Sequence, residues 1–328
     1  MMKTFLFGSG KVGREAAYIL RKEGKEIFSF VDNDSQKWGK KILNIPVISL
    51  EEYIREEDNC ELIISCNCEN RRQIAEQLKV AGILKFSYID ESELQYKRER
   101  VISYSHPSDM EDVILYHALY NQDEIFYIDI GSNDPFVSSV TKLFYDVKNA
   151  NGINVEPLKN LIKITDCERK RDINLCVGVG CESGEAELFA QGECSTLIKE
   201  HVINKDCKSE RISIVTLAQI CDDYISDNQE ISFLKIDVEG GEKNVLEGAN
   251  FEKYRPYIIA MESTVPNTLV PTYEQWEDIL LKAKYHYVFS HGVNRYYVAN
   301  EKSDDFDSRF IDVEELKLAY DIFYAEIK

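Results

Sequence analysis

Residues 126–135, FYIDIGSNDP, are the point about which the chain is arranged. Ile125, Tyr127, Ile128 and Ile130 form an apolar, β-prone run, broken by Asp129, Gly131, Ser132 and Asn133. That pattern predicts a buried strand entering a tight turn, with 137–147 as the helix behind it. Glycine at the crossover lets backbone approach a ligand closely, and the helix N-terminus would face that ligand. A second short strand, 152–155, ends in Glu156, 25 residues after Gly131. An acid at that strand tip is placed to accept hydrogen bonds from a ribose diol, so the expected unit is a nucleoside-binding βαβ.

Outward from this stretch, 328 residues exceed a comfortable single core and argue for two domains. A hydrophobic share of 44% beside a charged share of 30% describes a globular, soluble chain. No run approaches the roughly 18 apolar residues that would span a bilayer. The start of the chain passes from Lys3 directly into a strand, which leaves no room for a signal peptide. Nine cysteines without a C-x-x-C pair point to free thiols in a reducing cytoplasm. A net charge of −19 repels phosphate backbones and anionic membranes, leaving a small-molecule or carbohydrate ligand and excluding nucleic acid.

Residues 1–93 read as a small parallel α/β domain. Strand 3–7 runs into GSGKVG (Gly8, Gly10, Gly13), a helix follows to about residue 23, and strand 26–31 ends at Asp32. The acid lies 19 residues after Gly13, close to the dinucleotide spacing. Elements at 46–48, 50–57, 61–65, 71–81 and 85–89 complete that unit. A linker over 94–109 carries the basic run Lys97-Arg98-Glu99-Arg100. The larger domain, 110–328, opens with a helix at 110–120. Strand 231–236 ends in Asp237-Val238-Glu239-Gly240-Gly241-Glu242, and strand 257–261 ends in Glu262. A tight strand pair, 287–290 with 295–298, and an amphipathic helix, 313–324, close the domain.

In an open parallel sheet a ligand lies beyond the carboxyl ends of the strands, so Asp129, Glu156, Asp237, Glu239 and Glu262 converge on one crevice. Glu239 and Glu242 serve equally well as caps of the following helix. His201 and His291 lie in loops within reach of the crevice, where a lone histidine is otherwise simply solvated.

FYIDIGSNDP, GINVEP, LKIDVEGGEKNVLEGA, YIIAMES and VNRYYVA together resemble the FkbM family of S-adenosylmethionine-dependent O-methyltransferases, over about 109–298. The resemblance implies a class I methyltransferase fold, a mostly parallel seven-stranded sheet with one antiparallel strand. It implies methyl transfer to a hydroxyl of a sugar, nucleotide-sugar or glycan precursor. Asp129, Gly131, Ser132 and Asn133 would form the methionine-side turn, Glu156 and Pro157 the ribose side, and Val179 with Glu185 the adenine side. Asp237 would face the methyl group. Two carboxylates separated by Val238 repel unless a proton or cation intervenes. Asp237 and Glu239 would therefore act as base and orienter, or hold Mg²⁺ or Mn²⁺ with Glu262.

The N-terminal domain resembles the sugar-nucleotide-binding domain of left-handed β-helix acyltransferases, through FGSGKVG, FVDND and IPVIS. It would take a nucleotide or nucleotide-sugar, or NAD, or serve as a scaffold through which the chain self-associates. Two rival readings stand beside methyl transfer: an NAD-dependent sugar oxidoreductase using Gly8, Gly10, Gly13 and Asp32, and a non-catalytic nucleotide-sensing or assembly subunit.

Overall fold

A computed structural model describes residues 3–56, 60–89, 99–191, 194–202 and 207–325. The chain divides into two compact units, Met1–Val101 with Asp312–Phe323, and Ile102–Ile311 with Tyr324–Lys328. This division differs from the expected boundaries at 93 and 109, and it takes the helix near residue 313 out of the larger domain. Residues 94–98 of the expected linker lie outside the described residues.

The first unit is a six-stranded sheet in the order Lys41–Ile42, Ile45–Ile48, Ile27–Val31, Lys3–Phe7, Cys60–Ile64, Ser87–Tyr88. Every pairing is parallel except the hairpin Lys41–Ile42 with Ile45–Ile48. Phe5, Phe7, Val31, Leu62 and Ile64 pack with Ile74 and Leu78 of helix Cys68–Val80. Helix Lys11–Lys22 begins directly after the glycine turn. A Cβ on Gly13 would stand 1.8 Å from the Gly8 carbonyl oxygen, which is why the helix can seat so closely on the turn only as glycine. Helix Val313–Ala319 returns to this unit, with ion pairs Arg14–Glu314 at 3.7 Å and Arg21–Glu315 at 3.4 Å. The helix expected over 313–324 therefore stops early. Tyr320–Tyr324, rich in aromatic residues, forms a strand that pairs with Glu99–Ser103, within the expected linker.

The second unit is a seven-stranded sheet in the order Ile173–Leu175, Asn151–Val155, Phe126–Ile130, Phe233–Ile236, Ile258–Glu262, Asn294–Ala299, Tyr285–His291. Asn294–Ala299 is antiparallel to both neighbours and the remaining pairings are parallel. This is the architecture the resemblance implied. Alternation along the strands sends Ile128, Ile130, Leu234 and Ile236 to one core face, with helices Leu217–Tyr224 and Glu242–Glu247 packed there. Tyr127, Asp129, Phe233 and Lys235 take the other side, where Phe144 packs on Phe233. A separate three-stranded sheet, Gly178–Val179, Lys208–Val215 and Gly184–Ala190, lies outside the main one.

The helix expected over 137–147 begins only at Lys142. Ser138 sits at φ +54°, outside helical space. Buried Arg169 donates to Ser139 Oγ, to Thr141 Oγ1 and to the Thr141 carbonyl at 2.9–3.3 Å. Those contacts hold the segment in an irregular turn, so no helix N-terminus starts behind Gly131.

Candidate active site

At the carboxyl ends of the central strands lies a cavity of about 560 Å³. Gly131 begins its wall. Its φ is +81°, and a Cβ there would stand 1.8 Å from the Asp237 carbonyl oxygen, so the two strand tips approach as only glycine permits. Gly131 and Ser132 donate their N–H groups to the Val155 carbonyl at 3.0 and 3.1 Å. Asn133, at φ +50°, donates its N–H to Glu156 Oε2 at 3.1 Å, and Leu158 N–H donates to Glu156 Oε1 at 2.9 Å. Burial raises the Glu156 pKa, and those two backbone donors work against the rise. A carboxylate has about four lone-pair positions, so Glu156 keeps acceptor capacity towards the cavity.

Lys235 is the organising charge, and it was not singled out from the sequence. It lies opposite Asp129 in the strand register. Its ammonium donates to the Gly131 carbonyl at 3.0 Å and stands 3.5 Å from Asp129 Oδ1 and 3.3 Å from Asp237 Oδ2. Burial opposes its charge, but Asp237, Asp129 and Glu111 outweigh burial and hold its pKa above the ordinary lysine value. The second Asp129 oxygen accepts from Thr141 Oγ1 at 3.2 Å. The repulsion expected near Asp237 is thus met by a side chain of the same strand. A signal was present: residues two apart on a strand share a face, and a lysine within a buried run needs a partner.

Beyond Asp237 the turn is closed by Glu242, whose Oε1 accepts from Gly240 N–H at 2.9 Å and Val238 N–H at 3.3 Å. Glu242 thus braces the turn rather than capping the helix, whose N-cap, Gly241, receives no side-chain hydrogen bond. Glu239, at φ +56°, lines the cavity, and its carbonyl accepts from Thr196 Oγ1 at 2.9 Å and lies 3.2 Å from His201 Nδ1. His201 accordingly packs on the Glu239–Gly240 turn, and neither it nor His291 is among the described residues lining the cavity. Ser132 is buried and also outside that lining, whereas Pro157, Val179 and Glu185 line it. Among the described residues no group of three or more His, Cys, Asp or Glu side chains is placed to hold a metal ion, so the expected Mg²⁺ or Mn²⁺ site at Asp237, Glu239 and Glu262 finds no support.

The lining also includes residues that the sequence did not mark. His106, Asp109, Glu111 and Val293 are among them, and Glu111 Oε1 accepts from Asn294 Nδ2 at 3.0 Å. Burial pushes the Glu111 carboxyl up to about 8, with Lys235 pulling the other way. Glu262, directly opposite Asn294 in the strand pair, is pushed up to about 11 by burial and by Asp237, Glu242 and Glu239. No local motif announces these groups, because the hairpin turn near 292 and the helix Glu111–Ala118 meet only in the fold.

In the first unit, Asp32 Oδ2 accepts from the N–H and hydroxyl of Ser9, and Oδ1 accepts from Asp34 N–H at 2.9 Å. Lys37 stands 3.3 Å away. Burial alone would raise the Asp32 pKa, but the Ser9 and Asp34 donors and Lys37 lower it. The acid at the dinucleotide spacing thus ties strand Ile27–Val31 to the glycine turn. Gly8 and Gly13 make that turn close, while Gly10 has open space where a Cβ would stand.

Residues 1–87 match the family described as C2185-like, N-terminal. Among solved structures, a methyltransferase FkbM from Methylobacillus flagellatus KT is similar at 13% identity, with 90% of each chain covered and a TM-score of 0.36. UDP-D-quinovosamine 4-dehydrogenase from Vibrio fischeri is similar at 19% identity over 29% of this chain and 84% of that one, with a TM-score of 0.24. No curated protein matches the chain. Residues 129–287, which contain the glycine turn, Glu156, Lys235, Asp237 and Glu262, match the methyltransferase FkbM domain, and the chain is identified by this segment as carrying a domain of that family.

Proposed function

We propose that this domain transfers a methyl group from S-adenosylmethionine to a hydroxyl of a sugar-type acceptor. A methyltransferase FkbM domain implies that cofactor, which supplies an electrophilic methyl on a sulfonium when bound. The residues fit it: a glycine turn that a Cβ would block, a strand-tip acid with free lone pairs, and an apolar flank at Val179. In this reading Gly131 and Asn133 hold the methionine side and Glu156 the ribose, with Asp129 fixing the turn from beneath through Lys235.

The observation that carries the proposal is the shared ammonium of Lys235. It binds the Gly131 carbonyl on the cofactor turn and the Asp237 carboxylate at the next strand tip. One rigid group therefore sets the separation of donor turn and acceptor-side carboxylate, which is what in-line transfer between two bound molecules requires. Asp237, with its side chain 34% exposed, would accept a hydrogen bond from the acceptor hydroxyl and take its proton as the C–O bond forms and the methyl–sulfur bond breaks, its electron pair staying on sulfur. Glu239 orients the hydroxyl from the same turn.

Asp237→Asn keeps the shape and an acceptor oxygen but removes the base. Turnover should fall on the order of 10²-fold or more while cofactor affinity stays within about twofold. The measurement is kcat by release of S-adenosylhomocysteine, paired with calorimetry of cofactor binding. Near-normal turnover in Asp237→Asn would overturn the assignment.

A further inference from the structure

The charge of the cavity discriminates among acceptor forms, and this inference rests on the reading that a hydroxyl is methylated there. Acidic side chains reach the cavity from several segments, among them Asp109, Glu156, Glu185, Asp237 and Glu239, besides Glu111 and Glu262. Lys235 is the one lysine or arginine among the described residues that line it. Its ammonium, in a side chain only 7% exposed, is already engaged by Asp129, Asp237 and the Gly131 carbonyl. The other described lining side chain able to carry positive charge, His106, is engaged by Ser108 and Asp109 at 2.8 and 3.4 Å, so a phosphate would be desolvated largely against acidic groups.

Glu262 gives an independent mark of a ligand. The residue is 7% exposed, it lines the cavity, and its Oε2 has no hydrogen-bond partner among the described residues. The amide directly opposite it, on Asn294, donates to Glu111 instead. A buried polar atom without a partner is costly, and a ligand group that reaches the Glu262 carboxyl where the residue borders the cavity relieves that cost. Held protonated by burial and its acidic neighbours, the Glu262 carboxyl offers both an O–H and an accepting oxygen.

We propose that Glu262 binds the hydroxyl or amino groups of an unphosphorylated sugar ring, and that the cavity turns away the phosphorylated form of the same ring. Glu262 is then an acceptor-binding residue of the cavity lining. This narrows the acceptor to a free sugar, a glycoside or a glycan terminus whose reacting ring carries no phosphate.

The test is saturation-transfer NMR on the full-length protein, with and without S-adenosylhomocysteine, using methyl β-D-glucopyranoside, D-glucosamine and D-glucose 1-phosphate as probes. The first two should bind at least about tenfold more tightly than the phosphate. Glu262→Ala should weaken them about tenfold, and Glu262→Gln, which keeps a donor and an acceptor in the same shape, should stay within about threefold of the parent. Should the alanine variant not fold, the ranking of the three probes on the parent protein and the glutamine variant still decide. Equal or tighter binding of glucose 1-phosphate, no binding of any probe, or unchanged binding in a folded Glu262→Ala overturns the proposal. Calorimetry of S-adenosylhomocysteine on the same samples tests the methyl-transfer reading separately: loss of that binding in the parent protein strikes that reading, whereas retained binding without selectivity among the probes strikes this one alone.

Discussion

At the scale of single residues, the buried acids make the fold sensitive to alkali. Glu111 has an ordinary value of 4.5 and is pushed up to about 8 in the folded chain. Below the ordinary value the carboxyl is protonated in both folded and unfolded chains, and the stabilising proton is fully present. Between the two values the folded chain holds a proton that the unfolded chain has lost, so stability falls as pH rises, and above the upper value the slope ends. Glu111→Gln keeps an oxygen for the Asn294 amide and has no proton to lose. Relative to the parent, it should flatten the decline between pH 5 and pH 8 by on the order of 2 kcal/mol, read by urea unfolding at both pH values. A variant that declines as steeply as the parent would show that Glu111 is already ionised in the fold. Glu262 acts in the same direction over a wider range, so some decline should remain.

At the scale of elements, the approach of strands Phe126–Ile130 and Phe233–Ile236 depends on one missing side chain. Gly131→Ala places a Cβ 1.8 Å from the Asp237 carbonyl oxygen at a φ of +81°, and should destabilise the second unit by about 3 kcal/mol or more. Denaturant unfolding measures this, and a loss below about 1 kcal/mol would mean that the strand tips can part. Strands such as these were legible in the sequence because buried parallel strands read as continuous apolar runs bounded by turn residues. The strand-tip positions of Glu156, Asp237, Glu239 and Glu262 were legible because each ends or follows an apolar run, and these four line the cavity, whereas Asp129, expected with them, is buried outside the lining. The segment 137–147 was not, because its spacing of Val137, Val140, Leu143 and Phe144 suits a helix, while Arg169 takes the Thr141 carbonyl from a distant part of the chain. Tyr320–Tyr324 was misread for the same kind of reason. Its strand conformation is set by pairing with Glu99–Ser103, far away in sequence. Lys235 shows the middle case, since its face-mate Asp237 was visible but its cross-strand partner Asp129 needed the register.

At the scale of the whole molecule, the first unit is assembled from two segments. Val313, Leu316, Leu318 and Ala319 are buried, and their helix packs with Lys11–Lys22. A chain ending at Ile311 should lose about 3 kcal/mol or more from the first unit, which lowers its melting temperature by about 10 °C or more. The two tryptophans make this measurable, because Trp38 lies in the first unit and Trp276 in the second. With Trp276→Phe in both the full and shortened chains, the Trp38 fluorescence transition reports the first unit, and an unmoved transition would show that the helix contributes nothing there. The same discontinuity sets an order of events during synthesis. The ribosome delivers the glycine turn and the sheet of the first unit early, then makes all of 102–311 before the helix that completes it. At ~5–20 residues per second that interval is roughly 10–40 s. For that time the face of Lys11–Lys22 awaiting its helix is a sticky nascent surface, while residues 102–311, which carry the whole seven-stranded sheet, can fold first although they begin later on the message.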